Sequence, residues 1–453
     1  MCMKLKAKIN KKKVKYIFKY ILMFLLFLFI YEVAAFGNSY GDPIANYGFS
    51  HAIKNGQIPY LEFNIISTPL YAFLMSLGLH LWDNYLMFII EQTILCTIMF
   101  YLLEKLYGNK VYLIIFSTAI LFFYGLNPTY NFCCLFLLIV LLYLEKFHNE
   151  NDYLIGFVIG LSILAKQTIG VFFVLPTIIV YYRNIKKILK RTIGAIVPIL
   201  IFVLYLVINK AFYPFINLCF FGLFDFASGN GHFFNAWFFI VATTFIITLI
   251  FTIKDKKNIS NWYLLFGVSF TVPLFDLCHF AFYFFTLVIF YCRYLKEYKY
   301  LKYVSVLCLV LYTGLVGVTF IVTGNLVFAK KINHFEYTFS TKYNYKYDLD
   351  NMNVLDSYDK KVVLSYLTLK YDVSSDNKLS YFDVLLYGNF GYDGVNKMIK
   401  KIEKMDDVYV LIEIGAYNDP GEDSQFAKKI CDYVIDNYKF IERRKDFLIY
   451  YKD

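Results

Sequence analysis

The sequence predicts a polytopic α-helical membrane protein that ends in a small C-terminal α/β domain. Hydrophobic residues make up 59% of the 453 residues and the mean hydropathy is +0.52, which is more apolar than a water-soluble globular chain needs. Apolar segments of helical length follow one another through residues 17–324, the predicted transmembrane domain. From residue 325 to residue 453 the composition changes to a mixture rich in Asp, Asn, Lys and Tyr, which marks a separate domain.

The N-terminal segment, residues 1–16, orients the first span. It carries seven lysines before Tyr16 and no acidic residue, and lysines beside a first span hold their end in the cytoplasm. A secretory signal peptide is the alternative, since Ala34 and Ala35 are small. However, about 20 apolar residues are long for a signal core, and further spans follow. We therefore predict an uncleaved first helix in the plasma membrane, with a cytoplasmic N-terminus.

Basic loops between the apolar segments predict which side each connection occupies. Twelve segments precede residue 325, and if all of them crossed, the most basic loop, residues 183–191, would lie outside. Segment 67–82 is short, follows Pro69 and is separated from the next helix by only three residues. We predict that it is a re-entrant or interfacial helix and that the other segments make 11 spans.

This topology gathers the polar clusters on the outer side. The segments predicted there are the first outer loop (37–66), residues 127–130, Lys166 with Gln167, residues 214–232, residues 273–279 and the tail. In the tail, apolar runs predict strands at 360–367, 408–415 and 447–452, and helical spacing predicts a helix over 424–438. Cys431 is the only tail cysteine, which excludes an internal disulfide framework.

Asp42 heads the first outer loop and precedes a short helix predicted over residues 43–54. A carboxylate at the membrane surface, where low polarity raises its basicity, is suited to take a proton from an acceptor hydroxyl or amine. The structural alternative is that Asp42 caps the short helix, with Pro43 at the first helical position. The two roles can coexist.

Two further clusters lie at breaks between apolar segments. Lys166 with Gln167 can bind a phosphate dianion through the ammonium and nearby N–H groups; alternatively, the lysine only marks a helix end. Asp276 and His279 share one face if their turn is helical, so Asp276 can orient His279 toward a phosphate or an acceptor. The alternative is that Asp276 caps the following span and His279 lies in interface water.

The first outer loop resembles that of the GT-C superfamily of membrane glycosyltransferases. Asp42 is followed by Asn-Gly-Gln-Ile-Pro-Tyr-Leu-Glu-Phe at 55–63 and by Thr-Pro-Leu at 68–70. This order is similar to the protein O-mannosyltransferase-like and aminoarabinose-transferase-like branches, whose loop carries an acid, a short helix, Gly-x-x-Pro-Tyr-x-Asp/Glu-Phe and Pro-Leu. The resemblance covers residues 17–324.

The resemblance implies a role for each cluster. Asp42 corresponds to the catalytic base, Glu62 is the reserve acid, and Lys166 with Gln167 corresponds to the site for the donor phosphate. Asp276 and His279 complete the polar site. Pro43 stands where many members carry a second acid, so we assign no metal ligands and no cofactor, and a divalent metal stays an open alternative.

These observations predict a glycosyltransferase that uses a polyprenyl-phosphate sugar. The site faces away from the cytoplasm and no glycine-rich phosphate loop is present. We expect inversion, as the resemblance implies, and an extracytoplasmic glycan, lipid or protein acceptor. The alternative is a lipid or polysaccharide transporter or flippase, which would need ionisable residues at mid-depth; Glu91 is the clearest one. The net charge of +11 indicates membrane lipids as partners and not nucleic acid.

Overall fold

The computed structural model describes residues 14, 16–31, 42–121, 128–224, 226, 235–272, 274–292, 345–365, 378–386, 388–418 and 427–453. The predicted last span at 301–324, the domain boundary at 325 and the N-terminal lysines before Val14 lie outside these residues.

Helices make up most of what the structure describes before the tail. In chain order they are α1 Tyr16–Tyr31, α2 Asp42–Lys54, α3 Leu70–Leu79, α4 Tyr85–Leu121, α5 Tyr130–Phe147, α6 Asp152–Ala165, α7 Gln167–Tyr181, α8 Ile185–Ile208, α9 Phe212–Phe224, α10 Ala236–Lys254, α11 Ile259–Leu265 and α12 Leu277–Cys292. Helix α4 is broken at Gly108, whose φ of 72° lies in the left-handed region that favours glycine. Helix α9 contains a π turn over Asn217–Phe221.

By length and composition, four helices within the described ranges can each cross a membrane. They are Tyr85–Gly108, Tyr130–Phe147, Ile185–Ile208 and Ala236–Lys254. Helix α3 has 10 residues and is about 15 Å long, roughly half the thickness of a bilayer core. It packs against α2 and α4, which agrees with the predicted helix that does not cross. The total of 11 spans stays a prediction.

Helices α6 and α8 are in close backbone contact because glycines line both surfaces. A Cβ at Gly156 would lie 2.0 Å from the carbonyl oxygen of Arg191, and one at Gly194 would lie 2.2 Å from that of Tyr153. Small residues of this kind let helix backbones approach within a membrane. A glycine also allows close packing between α3 and α4. A Cβ at Gly78 of α3 would lie 2.3 Å from the Cδ of Glu91 in α4.

A buried ionic network holds the ends of α5, α6 and α8 together. Arg191 is 2% exposed. It donates from Nη2 to Glu145 Oε2 at 3.0 Å and from Nε to Asp152 Oδ1 at 3.0 Å. A buried charge is tolerated when it is paired and hydrogen-bonded in this way. Arg191 belongs to the basic segment 183–191, which the sequence predicts as a cytoplasmic loop; in the structure residues 185–191 form the first turns of α8.

The described part of the tail contains a four-stranded mixed sheet with flanking helices. Its elements are α13 Tyr345–Leu355, β1 Lys361–Leu364, α14 Gly394–Glu403, β2 Val408–Glu413, α15 Ile414–Tyr417, α16 Lys428–Asn437, β3 Lys439–Arg444 and β4 Phe447–Lys452. The strand order is β1-β2-β4-β3, with β1 parallel to β2 and the other neighbours antiparallel. The sequence pattern missed β3, because all six of its residues are exposed and show no apolar alternation.

Candidate functional site

A cavity of about 290 Å³ lies where the segments predicted to be outer meet the tail. Six parts of the chain that are distant in sequence contribute to its wall. They are α2 with the loop after it, the start of α5, the α6–α7 junction, the end of α9, the start of α12 and a segment of the tail. The lining residues include Ala45, Asn46, Phe49, Tyr130, Lys166, Gln167, Thr168, Leu223, His279, Leu379, Ser380, Asp383 and Asn389.

Lys166 lies at the junction of α6 and α7 and is 9% exposed. Its Nζ donates to Asn131 Oδ1 at 2.9 Å and lies 5.0 Å from the centroid of the Tyr130 ring. These two contacts orient the ammonium at the cavity wall. A buried ammonium at a cavity wall attracts anions strongly, because the surrounding apolar groups screen its charge poorly.

Gln167 uses its side-chain amide to connect three backbone segments. Its Nε2 donates to the carbonyl oxygens of Ile66 at 3.2 Å and Cys219 at 2.9 Å. Its Oε1 accepts from the N–H of Thr68 at 3.2 Å. The residue lines the cavity, but its amide holds the end of the first outer loop against the π turn of α9. Its geometry is that of a positioning residue for the wall that also carries Lys166.

Thr168 was not singled out from the sequence, although it also lines the cavity. Its Oγ1 is buried and has no hydrogen-bond partner among the described residues. A buried hydroxyl in that state is energetically unfavourable and calls for an explanation. Thr168 thus adds a neutral hydrogen-bond donor to the cavity that Lys166 also lines.

Asp276 and His279 form a hydrogen-bonded pair at the start of α12. The ring Nδ1 lies 2.8 Å from Asp276 Oδ2, and the His279 N–H donates to Asp276 Oδ1 at 2.8 Å. Asp276 therefore caps the helix and orients the ring at once, so the two roles coexist. Burial by itself would raise the pKa of Asp276, but the hydrogen bonds and charge of His279 outweigh it and hold that pKa below its usual range. His279 lines the cavity, and Asp276 supports it from behind.

Of the two candidate acids in the first outer loop, Asp42 is the one whose helix borders the cavity. Asp42 is the first residue of α2, and Ala45, Asn46 and Phe49 lie three, four and seven positions later, on one face of that helix. Glu62 is outside the set of lining residues. Its Oε2 accepts from the N–H of Ile58 at 2.6 Å, which closes the turn after α2.

The tail reaches the cavity through a segment that we call the tail strap, residues 378–386 with 388–391. Gln57 binds both backbone groups of Leu379, accepting from its N–H at 2.9 Å and donating to its carbonyl oxygen at 3.0 Å. Asn64 donates to the carbonyl oxygen of Tyr381 at 3.1 Å. Gly388 has a φ of 89°, and a Cβ there would lie 2.4 Å from Phe226 Cα. These contacts fix the strap against the first outer loop and the end of α9.

Asp383 is a carboxylate that the tail strap brings into the cavity wall. It is 4% exposed, and it accepts from Ser380 through the backbone N–H and through Oγ, the latter at 3.2 Å. Sequence reasoning missed it, because no motif surrounds it and nothing in the local pattern relates residue 383 to the first loop. No group of three or more His, Cys, Asp or Glu side chains in the described ranges is arranged to hold a metal ion.

The architecture is similar to that of known membrane transferases. No family model and no curated protein matches the sequence. Among solved structures, ArnT from Cupriavidus metallidurans in the apo state superposes with a TM-score of 0.54, covering 96% of this chain and 98% of that one at 9% identity. The same protein bound to undecaprenyl phosphate gives a TM-score of 0.56 over the same shares, also at 9% identity. This chain shares the fold of ArnT.

The oligosaccharyltransferase of Archaeoglobus fulgidus superposes with a TM-score of 0.41 and 11% identity over 88% of this chain and 70% of that one. The match to ArnT extends over nearly the full length of both chains, so it includes most of the tail as well as the helices. The shared fold agrees with the architecture that the resemblance of the first outer loop implied.

Proposed function

We propose that the chain is an integral membrane glycosyltransferase of the GT-C type. It transfers a sugar, with inversion, from a polyprenyl-phosphate donor to an extracytoplasmic glycan, lipid or protein acceptor. The observation that carries this proposal is the cavity that Lys166 and His279 share with the first outer loop and the tail strap. The donor class is further supported by the similar ArnT structure, which was solved with undecaprenyl phosphate bound.

The donor phosphate binds at the α6–α7 junction. Lys166 supplies the positive charge, and the Oγ1 of Thr168 supplies a hydrogen bond that the described part of the protein does not otherwise use. Gln167 acts indirectly, since it holds the backbone that positions these two residues. A charge-assisted hydrogen bond is about twice as strong as a neutral one, so the buried ammonium accounts for most of the phosphate affinity.

The reaction is a single displacement at the anomeric carbon. Asp42 accepts the proton of the acceptor hydroxyl or amine while the acceptor atom bonds to that carbon. The bond from the carbon to the phosphate oxygen breaks, and polyprenyl phosphate leaves with both electrons. Lys166 and His279 stabilise the charge that develops on the leaving phosphate, and Asp276 fixes the ring of His279.

The experiment supplies purified protein with polyprenyl-phosphate sugars and measures release of polyprenyl phosphate. Asp42→Asn should lower turnover by about 10²–10⁴-fold, the contribution typical of a general base. Asp359→Asn, at an exposed tail position, is the matched control and should turn over normally. Equal rates for wild type and Asp42→Asn would remove Asp42 from its role. Absence of release from every lipid-linked sugar would favour the transporter or flippase alternative.

A further inference from the structure

We infer that α1 and α4 form a binding site for an anionic phospholipid of the cytoplasmic leaflet. One acyl chain lies in a groove between the two helices, and the phosphate of the headgroup lies beside Lys105. The site is separate from the cavity and goes beyond the proposed function, because it concerns the lipid around the protein and not the transfer reaction. Its assignment to the cytoplasmic leaflet follows from the predicted orientation of the first span.

An open groove of about 430 Å³ lies on the surface where α1 contacts α4. Its wall consists of large apolar and aromatic side chains, five from α1 and one from α4: Tyr16, Ile17, Tyr20, Ile21, Phe24 and Tyr101. The five positions in α1 cover two turns of one side of the helix, so the groove follows the helix axis for about 12 Å. Ile17 is 60% exposed and Ile21 is 49% exposed, which is typical of a surface that contacts lipid chains.

The end of the groove at Tyr16 carries positive charge. The Nζ of Lys105 lies 5.4 Å from the ring centroids of both Tyr16 and Tyr101, and an ammonium in such a position is attracted to the ring faces. The Nζ of Lys19 lies 2.7 Å from Glu104 Oε1. Two lysines and one glutamate give these residues an excess of positive charge. The chain that leads into α1 adds seven lysines before Tyr16 and no acid.

The charged end of the groove is on the side of the molecule that holds the buried ionic network. Leu106, the residue after Lys105, accepts a hydrogen bond at its carbonyl oxygen from the Nζ of Lys146. The neighbouring Glu145 binds Arg191. Lysines at this depth lie near the headgroups, and the rest of the groove extends toward the middle of the bilayer. A phospholipid has the same order of charge and apolar chain.

Electrostatics favour an anionic lipid over the other possible occupants. Lysines near the cytoplasmic surface attract anionic headgroups, whereas a zwitterionic lipid gains only the contacts of its chain. A second copy of this chain would insert with the same orientation. Pairing two copies through this groove would therefore bring the lysine-rich starts of two α1 helices together, and like charges repel each other.

The test is native mass spectrometry of purified protein from detergent micelles that contain equal amounts of phosphatidylglycerol and phosphatidylcholine with identical acyl chains. Wild type should retain phosphatidylglycerol in preference to phosphatidylcholine. Lys105→Gln should reduce this preference about fivefold, the contribution of one lysine near an anionic surface. Lys257→Gln is the matched control, because Lys257 is exposed in the loop between α10 and α11, which is also predicted to be cytoplasmic. It should keep the wild-type preference.

A second variant separates the groove from charge alone. Ile21→Trp leaves every charged residue in place and puts a larger side chain into the groove, so it should lower the amount of phosphatidylglycerol retained. Three results would overturn the inference. They are equal retention of the two lipids by wild type, retention by Ile21→Trp that matches wild type, and a bound polypeptide, either another protein or a second copy, that Ile21→Trp displaces.

Discussion

At the scale of single residues, the proposed mechanism makes donor binding depend most on the ammonium of Lys166. It is buried, it is oriented by Asn131 and Tyr130, and it lines the cavity together with Thr168, whose hydroxyl has no hydrogen-bond partner among the described residues. The neighbouring Gln167 looks equivalent in the sequence, but its amide is bound to backbone groups. The two residues of one dipeptide therefore have different tasks, charge for one and positioning for the other.

Replacing Lys166 by glutamine should lower kcat/KM for the lipid-linked sugar by about 10²–10³-fold, the loss typical when one electrostatic contact to a developing anion is removed. The measurement is steady-state release of polyprenyl phosphate at varied donor concentration. Lys360→Gln is the control, because Lys360 belongs to an exposed ion pair with Asp407 in the tail. A Lys166→Gln enzyme with unchanged kinetics would exclude this lysine from the phosphate site.

At the scale of elements, the contact between α6 and α8 determines whether the cavity wall is held in place. Lys166 directly follows the last residue of α6, and the other end of the helix carries Asp152, which binds Arg191 of α8. Between these points the helices touch through glycines, with no room for a side chain at Gly156. Any widening of this contact would move the end of α6 that presents the lysine.

Gly156→Val should therefore lower the stability of the purified protein. Overpacking typically costs about 1–3 kcal/mol, and here the clash is with backbone, the carbonyl of Arg191, which cannot rotate away. The measurement is the thermal unfolding midpoint in detergent. Gly415→Ala serves as the control because a Cβ at Gly415 would meet no atom within 4 Å. Equal midpoints for Gly156→Val and wild type would contradict this prediction, because they would mean that α6 and α8 can move apart without loss of stability.

At the scale of the whole molecule, the two ends of the helical domain differ in chemistry. Helix α5 begins at Tyr130 beside the cavity, and Glu145 near its other end binds Arg191. Its 18 residues span about 27 Å, close to the thickness of a bilayer core. Lys146 and Lys187 are on the Arg191 side, so the proposed orientation puts that side in the cytoplasm and puts the cavity and tail outside.

Labelling in intact cells tests this orientation. In a Cys278→Ser background, which removes the native cysteine exposed in the described part of the chain, Lys429→Cys in the tail should react with a membrane-impermeant maleimide. Lys186→Cys in the basic loop should react only after permeabilisation. The opposite pattern would put the cavity in the cytoplasm, where a donor flipped to the outer leaflet is out of reach.

Much of the architecture could be predicted, because hydropathy and charge act along short stretches of chain. Local patterns in the sequence predicted the lengths of the apolar runs, the helix after Asp42, the break at Lys166 and the pair at 276 and 279. The motif position of Glu62 made it the reserve acid, but a motif position does not determine where a carboxylate points. In the structure it binds the N–H of Ile58 and does not line the cavity.

The sequence by itself determined the class of the molecule, its sidedness as a prediction and the GT-C resemblance, because each depends on composition or on neighbouring residues. The tertiary structure alone decided the composition of the cavity wall. Gln57 and Leu379 are 322 positions apart, and their hydrogen bonds bring Asp383 beside residues of the transmembrane helices. This contact forms only when the folded first outer loop and the folded tail have complementary shapes. No local sequence pattern near residue 57 or residue 379 predicts it.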